Sequence, residues 1–229
     1  DPMRMTLAIL LSLGAATPAL AAEKFAPPEG CTVFATVQHR NCEISQHYRC
    51  QKDPADHQWA IYADANGPFF ASRIDGETRW IESHDLADGR SETLTSESDP
   101  ASFSTLLGTG KDTYDFTQTD YDGLVTRYVG VDRLTGETVR ISGQTLERTE
   151  YDIKAYDAQG SLLWHRLGHD LVHRDWRLFF GDNERFENSF GDVVESTSTP
   201  LAIALPGEKG FLATKPEFDC EMMMTEVLP

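Results

Sequence analysis

Six turn dipeptides punctuate the middle of this chain: Asn66-Gly67, Asp75-Gly76, Asp122-Gly123, Thr135-Gly136, Ser142-Gly143 and Gln159-Gly160. Asn-Gly and Asp-Gly accept the positive φ that the central positions of a tight hairpin require. Each dipeptide therefore marks a place where an extended chain can double back. The segments between them are rich in β-branched and aromatic residues, and several alternate. Thr149, Tyr151, Ile153 and Ala155 fall on one side of a strand, and Arg148, Glu150, Asp152 and Lys154 on the other, giving one dry and one wet face. Leu124 to Arg133, Glu137 to Ile141 and Leu162 to His173 are further strand candidates, and residues 73–80 read as a compact hairpin.

Sequential strands joined by tight turns make an antiparallel meander, and a long meander curls because closure hides its edges. The expected fold is mainly β, a barrel or half-barrel with one short helix. Asp99 is the expected helix cap, with Pro100 in the first position, Ala101 to Leu107 continuing it and Gly108 stopping it. The polar stretch 85–98 before it reads as a loop. Residues 196–229, with four prolines, read as an irregular wrap carrying one or two short strands, and residues 23–30 as an extended leader. No stretch has the composition of a flexible linker, so residues 22–229 are expected to form a single antiparallel β domain.

The first residues have the features of an export signal. A basic start at Met3-Arg4-Met5 precedes the apolar run Leu7-Ala8-Ile9-Leu10-Leu11-Ser12-Leu13, and Ala19-Leu20-Ala21 has the small-x-small form of a cleavage site. The run is far short of the roughly 20 residues that span a bilayer. Residues 1–21 are thus expected to be removed, with Asp1-Pro2 an appended remnant before the first methionine. The mature protein is expected to be periplasmic or secreted, with no membrane span. Its net charge of −17 repels nucleic-acid phosphates and anionic lipid head groups, which excludes nucleic acid as a partner.

Cys31, Cys42, Cys50 and Cys220 form an even set without a C-x-x-C pair. In an oxidising compartment this favours two disulfides over metal thiolates or a redox centre. Three pairings are open. With three cysteines near the N-terminus, full pairing requires one bridge from Cys220 back to that cluster. Such a bridge closes a loop of about 170 to 190 residues and is worth roughly 4–5 kcal/mol on chain-entropy grounds.

His165, His169 and His173 share one face if Leu162 to His173 is a strand. Residues four apart on a strand are about 13 Å apart, too far for all three imidazoles to reach one metal ion. The row is a weak metal candidate, and the expected cofactor is none. Cys42 and Cys50 bracket His47, with His39 before them, but oxidation would remove the thiol that cysteine–histidine catalysis needs. No G-x-S-x-G elbow occurs, and Asp64-x-Asn66-Gly67 and Asp120-x-Asp122-Gly123 lack the ligand set of a calcium loop. Apolar residues suggest another kind of site. Trp164, Trp176 and Phe180, or their alternates Leu163, Arg177 and Phe179, are candidates to line a pocket for a hydrophobic small molecule or lipid. The bland reading is a filled core. The terminal Met222-Met223-Met224 is a possible adaptable surface.

The stretch from Thr135-Gly136-Glu137-Thr138-Val139-Arg140-Ile141-Ser142-Gly143 through Trp176-Arg177-Leu178-Phe179-Phe180-Gly181 resembles uncharacterised exported β-rich proteins of proteobacteria. In architecture it is similar to the periplasmic lipoprotein carriers of the Lol system, where a bent antiparallel sheet and a helix enclose an acyl-binding cavity. The resemblance implies a non-enzymatic binding, carrier or envelope-maintenance protein. Two alternatives come from other classes: a hydrolase or metal-dependent enzyme using His165, His169 and His173, and an interaction module that pairs an exposed edge strand with an envelope protein.

Overall fold

The structure, a computed structural model, describes residues 23–223. The expected signal segment and Met224 lie outside these residues. Six strands come first: β1 (Cys31–His39), β2 (Glu43–Cys50), β3 (Gln58–Asp64), β4 (Gly67–Ile74), β5 (Trp80–Asp85) and β6 (Ser91–Asp99). Helix α1 (Phe103–Thr109) separates them from β7 (Lys111–Asp120), β8 (Val125–Ile141), β9 (Gln144–Tyr156), β10 (Leu162–His173) and β11 (Leu178–Asn188). Two short strands, β12 (Val193–Thr197) and β13 (Pro200–Ala204), and a single helical turn, α2 (Cys220–Met223), complete it. All the strands join one antiparallel sheet of 13 strands in nearly sequential order, from β12 through β11 down to β1 and then β13. The sheet is curled without closing. No helix among the described residues is long and apolar enough to cross a membrane.

The curl is tight enough to bury the end of β10 from both sides. Leu171 packs with Ala35, Val37 and Ile203 of β1 and β13, whereas the next residue, Val172, packs with Phe103 and Leu106 of α1. Successive strand residues point to opposite faces, so the sheet here lies between two dry layers. A third cluster, with Tyr114, Phe116, Tyr128, Tyr151 and Ile153, covers the middle of β7 to β9. Gly130 makes room for it: a Cβ there would lie 2.5 Å from the Tyr114 ring. The alternation read for β9 holds, with Thr149, Tyr151, Ile153 and Ala155 buried and the intervening residues wetter.

Four local expectations differ. The helix is capped by Ser102, whose side chain accepts from the Thr105 amide at 3.1 Å. Asp99 is engaged elsewhere, as the last residue of β6, accepting from Thr113 Oγ1 at 2.7 Å. The helix runs past Gly108 to Gly110, whose left-handed backbone returns its N–H to the Leu106 carbonyl. The segment expected as a loop contains β6, because its polar side chains find partners across the sheet: Glu92 accepts from Tyr128 at 3.2 Å on the side of Leu94, and its threonines lie on the wet face. There Thr95 joins Thr117 and Thr119 of β7 through their hydroxyls. Thr135-Gly136 is no hairpin turn. The pairing register slips between Leu134 and Thr138, so the two expected strands are one long β8 with an internal bulge.

The disulfides are Cys31–Cys50 and Cys42–Cys220, with sequence separations of 19 and 178, leaving no free cysteine. The second ties α2 to the β1–β2 turn. The stretch before it, through Ala213 and Lys215, lies against β1 and β2. Gln46 Nε2 donates to the Ala213 carbonyl at 2.6 Å, and Gln38 Nε2 to that of Lys215 at 3.0 Å.

Candidate functional site

The structure divides the expected apolar site. Trp164 sits beside Tyr128 and Phe186, with the Arg166 guanidinium 4.6 Å from its ring centre. Trp176 lies beyond the end of β10, stacked on His173 at 3.9 Å and edge-on to Phe34. Phe180 is fully buried, its ring 5.3 Å from that of His47 and 6.3 Å from that of His39. Trp176 and Phe180 border one core cluster and Trp164 the other. Of the alternates, Phe179 packs edge-on against Phe103, Arg177 pairs with Glu77 at 2.7 Å, and Leu163 is exposed.

The histidine row is equally divided. His165 Nε2 meets the Asp152 carboxylate at 2.8 Å, His169 Nδ1 meets Asn183 Oδ1 at 3.0 Å, and His173 Nε2 meets Gln144 Oε1 at 3.1 Å. Each imidazole has its own partner on a neighbouring strand. Among the described residues, no three His, Cys, Asp or Glu side chains are placed to hold a metal ion.

A different histidine pair is joined, His39 and His47, whose nearness to Cys42 and Cys50 in the sequence suggests only partners for cysteine. Ser45 Oγ lies 2.7 Å from His39 Nε2 and 2.9 Å from His47 Nε2, with all three residues buried. His39 Nδ1 lies 3.2 Å from the Ser198 carbonyl, which can only accept. That bond assigns the tautomers in turn. His39 donates through Nδ1, Ser45 donates to the bare His39 Nε2, and His47 Nε2–H donates to Ser45. Burial keeps both rings neutral, lowering His39 to about 4 and His47 to about 3. Ser45, with no exposed surface, has no path to a substrate. The relay is a tether: it holds Ser198, in the crossover from β12 to β13 that spans the seam of the curl.

That seam carries the cleft. On β11, Asp182 is the extra residue of a bulge, since His169 pairs with Asn183 but Asp170 with Gly181. The bulge buries the Asp182 carboxylate, which accepts from Arg148 and from Thr199 Oγ1, while its carbonyl accepts from the Ser198 amide. Gly181 and Gly168 allow close approach here. A Cβ on Gly181 would meet Ser198 Oγ at 2.6 Å, and one on Gly168 would meet the Asn183 carbonyl oxygen at 2.0 Å. Between β10 to β12 and the β1–β2 turn lies a trough of about 820 Å³, lined by Arg40, His169, Arg185, Glu195 and Asp219 among others. It shares Asn41, Asn183, Glu184 and Ser196 with a recess of about 180 Å³.

The recess is acidic. Glu43, Asp170, Asp182 and Glu184 line it with Tyr151, and no lysine or arginine does. Tyr151 donates to Glu184 Oε2 at 3.1 Å. Asp170 and, on the same face two strands away, Asp132 are half-buried and surrounded by protein. Desolvation raises both: Asp170, repelled also by Asp132, Glu184 and Asp182, lies well above the usual carboxylate range, and Asp132, repelled also by Asp112, is pushed up to about 7. A recess of this kind holds a proton, or a cation that takes its place. In the sequence its one trace is a glycine shortly before or beside an aspartate on adjacent strands, Gly168-His169-Asp170 and Gly181-Asp182. Glycine inside a strand marks a bulge or a close approach. No protein family, curated protein or solved structure matches the chain.

Proposed function

We propose that the protein is a non-enzymatic binding protein of the cell envelope, working outside the cytoplasm, and that its cargo enters the seam cleft with a cationic group toward Asp170. The observation that carries this reading is the recess wall, where four carboxyl groups converge without a lining lysine or arginine. Asp182 already has Arg148, and Glu184 has Tyr151 and, at 3.8 Å, Arg166. Among the described residues Asp170 has no ion pair, so a bound amine or guanidinium would relieve its repulsion from Asp132, Asp182 and Glu184. The two disulfides and the export-like N-terminal sequence support the compartment. The separate engagement of His165, His169 and His173 favours binding over hydrolysis.

The cargo differs in chemistry from the hydrophobic ligand expected around Trp164, Trp176 and Phe180, because Phe180 is sealed in the core while the recess at Asp170 is polar. Calorimetric titration with aliphatic diamines and with their uncharged diol analogues tests the reading. Saturable binding of the diamines, lost in Asp170→Asn and not seen with the diols, is the expected result. Recovery of a neutral lipid from natively purified protein, with no diamine binding, would overturn it and restore the acyl carrier.

A further inference from the structure

The two edges of the sheet are finished differently. The β13 edge is guarded: it opens on Pro200, which has no N–H to offer, and the Ile203 amide is taken by Ser142 Oγ at 3.0 Å. The β12 edge has no such cover. All five of its residues are exposed, and it pairs only with β11. Among the described residues, no side chain or loop bonds to its outward backbone. Around it lies apolar surface. Phe190, in the β11–β12 turn, is 90 % exposed, Val193 and Val194 are open, and the Ser189 amide bonds to the Leu163 carbonyl, bringing Leu162 and Leu163 to the same corner.

We propose that β12 is a docking edge which takes up an extended segment of another protein, alternately basic and apolar, as one further strand. An incoming strand would satisfy the open backbone groups, and its alternate side chains would meet two different surfaces. Val193, Glu195 and Thr197 continue the face of Glu187, Arg185 and Asn183, while Val194 and Ser196 continue that of Phe186 and Glu184. Arg185 is already paired with Glu187 at 2.8 Å, and Glu195 has no ion pair among the described residues. With Asp192 nearby, also without an ion pair among the described residues, the edge presents uncompensated negative charge. A second copy of this chain fits poorly. Glu195 is the central residue of β12, so a two-fold antiparallel pairing would set Glu195 near its own copy, between chains of net charge −17. The surface adjoins the Asp170 recess, with Glu184 and Ser196 common to both, but the strand addition involves the outward backbone of β12 and does not depend on the recess's cargo.

The test uses three capped eight-residue peptides: alternating Lys-Val, the same peptide N-methylated at alternate residues, and alternating Glu-Val. The full chain is followed by fluorescence anisotropy and by amide exchange across residues 193–197. Lys-Val is expected to bind saturably and to protect those amides, with N-methylation weakening it at least about tenfold, the equivalent of 1.4 kcal/mol. Glu195→Lys, a surface change, is expected to reverse the preference toward Glu-Val. Equal binding of the N-methylated peptide would reduce the effect to charge alone and overturn the proposal. So would no binding of any peptide at roughly 1 mM, or sedimentation as a dimer with the same amides protected in the absence of peptide. Asp170→Asn is expected to leave peptide binding unchanged, which separates this surface from the cleft.

Discussion

Strands β1 and β2 bury most of their side chains, whereas β12, at the other end of the same sheet, buries none. The buried end is not simply apolar. Thr36, Gln38, His39, Ser45, Gln46 and His47 are all buried there, and each is hydrogen-bonded. Their partners come largely from the last part of the chain, at Ser198, Ala213 and Lys215, and both disulfides lie at this end. A buried polar group left without its partner costs about 1–3 kcal/mol, so this end tolerates little rearrangement. The β12 end has solvent as its partner and can exchange it for another molecule. Stability is unevenly distributed in proteins, and contact surfaces are drawn from the less stable part.

The comparison is broken most severely by removing the long disulfide. Cys42→Ser with Cys220→Ser frees a loop with a separation of 178, and a loss of about 5 kcal/mol is expected in urea unfolding. Cys31→Ser with Cys50→Ser, at a separation of 19, should cost about 3 kcal/mol. Equal losses would show that loop length is not what sets the difference. Phe180→Ala empties a fully buried site between His39 and His47 and should cost roughly 3–5 kcal/mol.

Acid sharpens the contrast through two opposing sets of groups. His39 and His47 are held neutral in the fold, so the unfolded chain binds protons that the native state refuses as pH falls below about 6.5. Their contribution weakens stability progressively from about 6.5 to about 4, where His39 itself titrates. Asp132 and Asp170 act in the reverse sense. The native state keeps protons that unfolded carboxyls release above about 3.9, so these groups favour the fold toward acid, and Asp132 loses that effect as pH rises through about 7. Urea midpoints at pH 7 and pH 5 should therefore fall more steeply in Asp132→Asn than in the parent and less steeply in His47→Gln. The smallest effect belongs to the exposed end. Phe190→Ser should change stability by no more than about 0.5 kcal/mol, and a larger loss in thermal unfolding would mean that this corner is part of the packed structure.

How far these contrasts can be read from the sequence depends on the range of the interactions. The alternation of β9 and the limits of β10 are local, set by period-two patterning and flanking turns, and they emerge intact. The requirement for a bridge from Cys220 back to the N-terminal cysteines follows from counting, and the pairing agrees. Thr135-Gly136 has the residues of a turn but is spent on a bulge, because the strand on either side keeps the same partner, β9. The cleft was least legible. It brings Glu43 beside Asp170 and Ser198, which share no local pattern and meet only when the sheet has curled. The His39–Ser45–His47 relay hides for a related reason: its meaning depends on Ser198, 159 residues from His39.

The nearly sequential strand order also has a consequence in time. A chain made from its N-terminus presents β1 and then β2 early, and each later strand up to β12 finds its neighbour already in place. β13 alone must return to the first strand. Cys31, Cys42 and Cys50 therefore emerge long before Cys220, and the native bridge among the first three skips the middle one. Cys42 has to wait as a free thiol while two nearer cysteines compete for it. Biogenesis of this protein would then depend on thiol–disulfide exchange to undo Cys31–Cys42 or Cys42–Cys50 pairs, a demand set by the order of synthesis and invisible in the finished molecule.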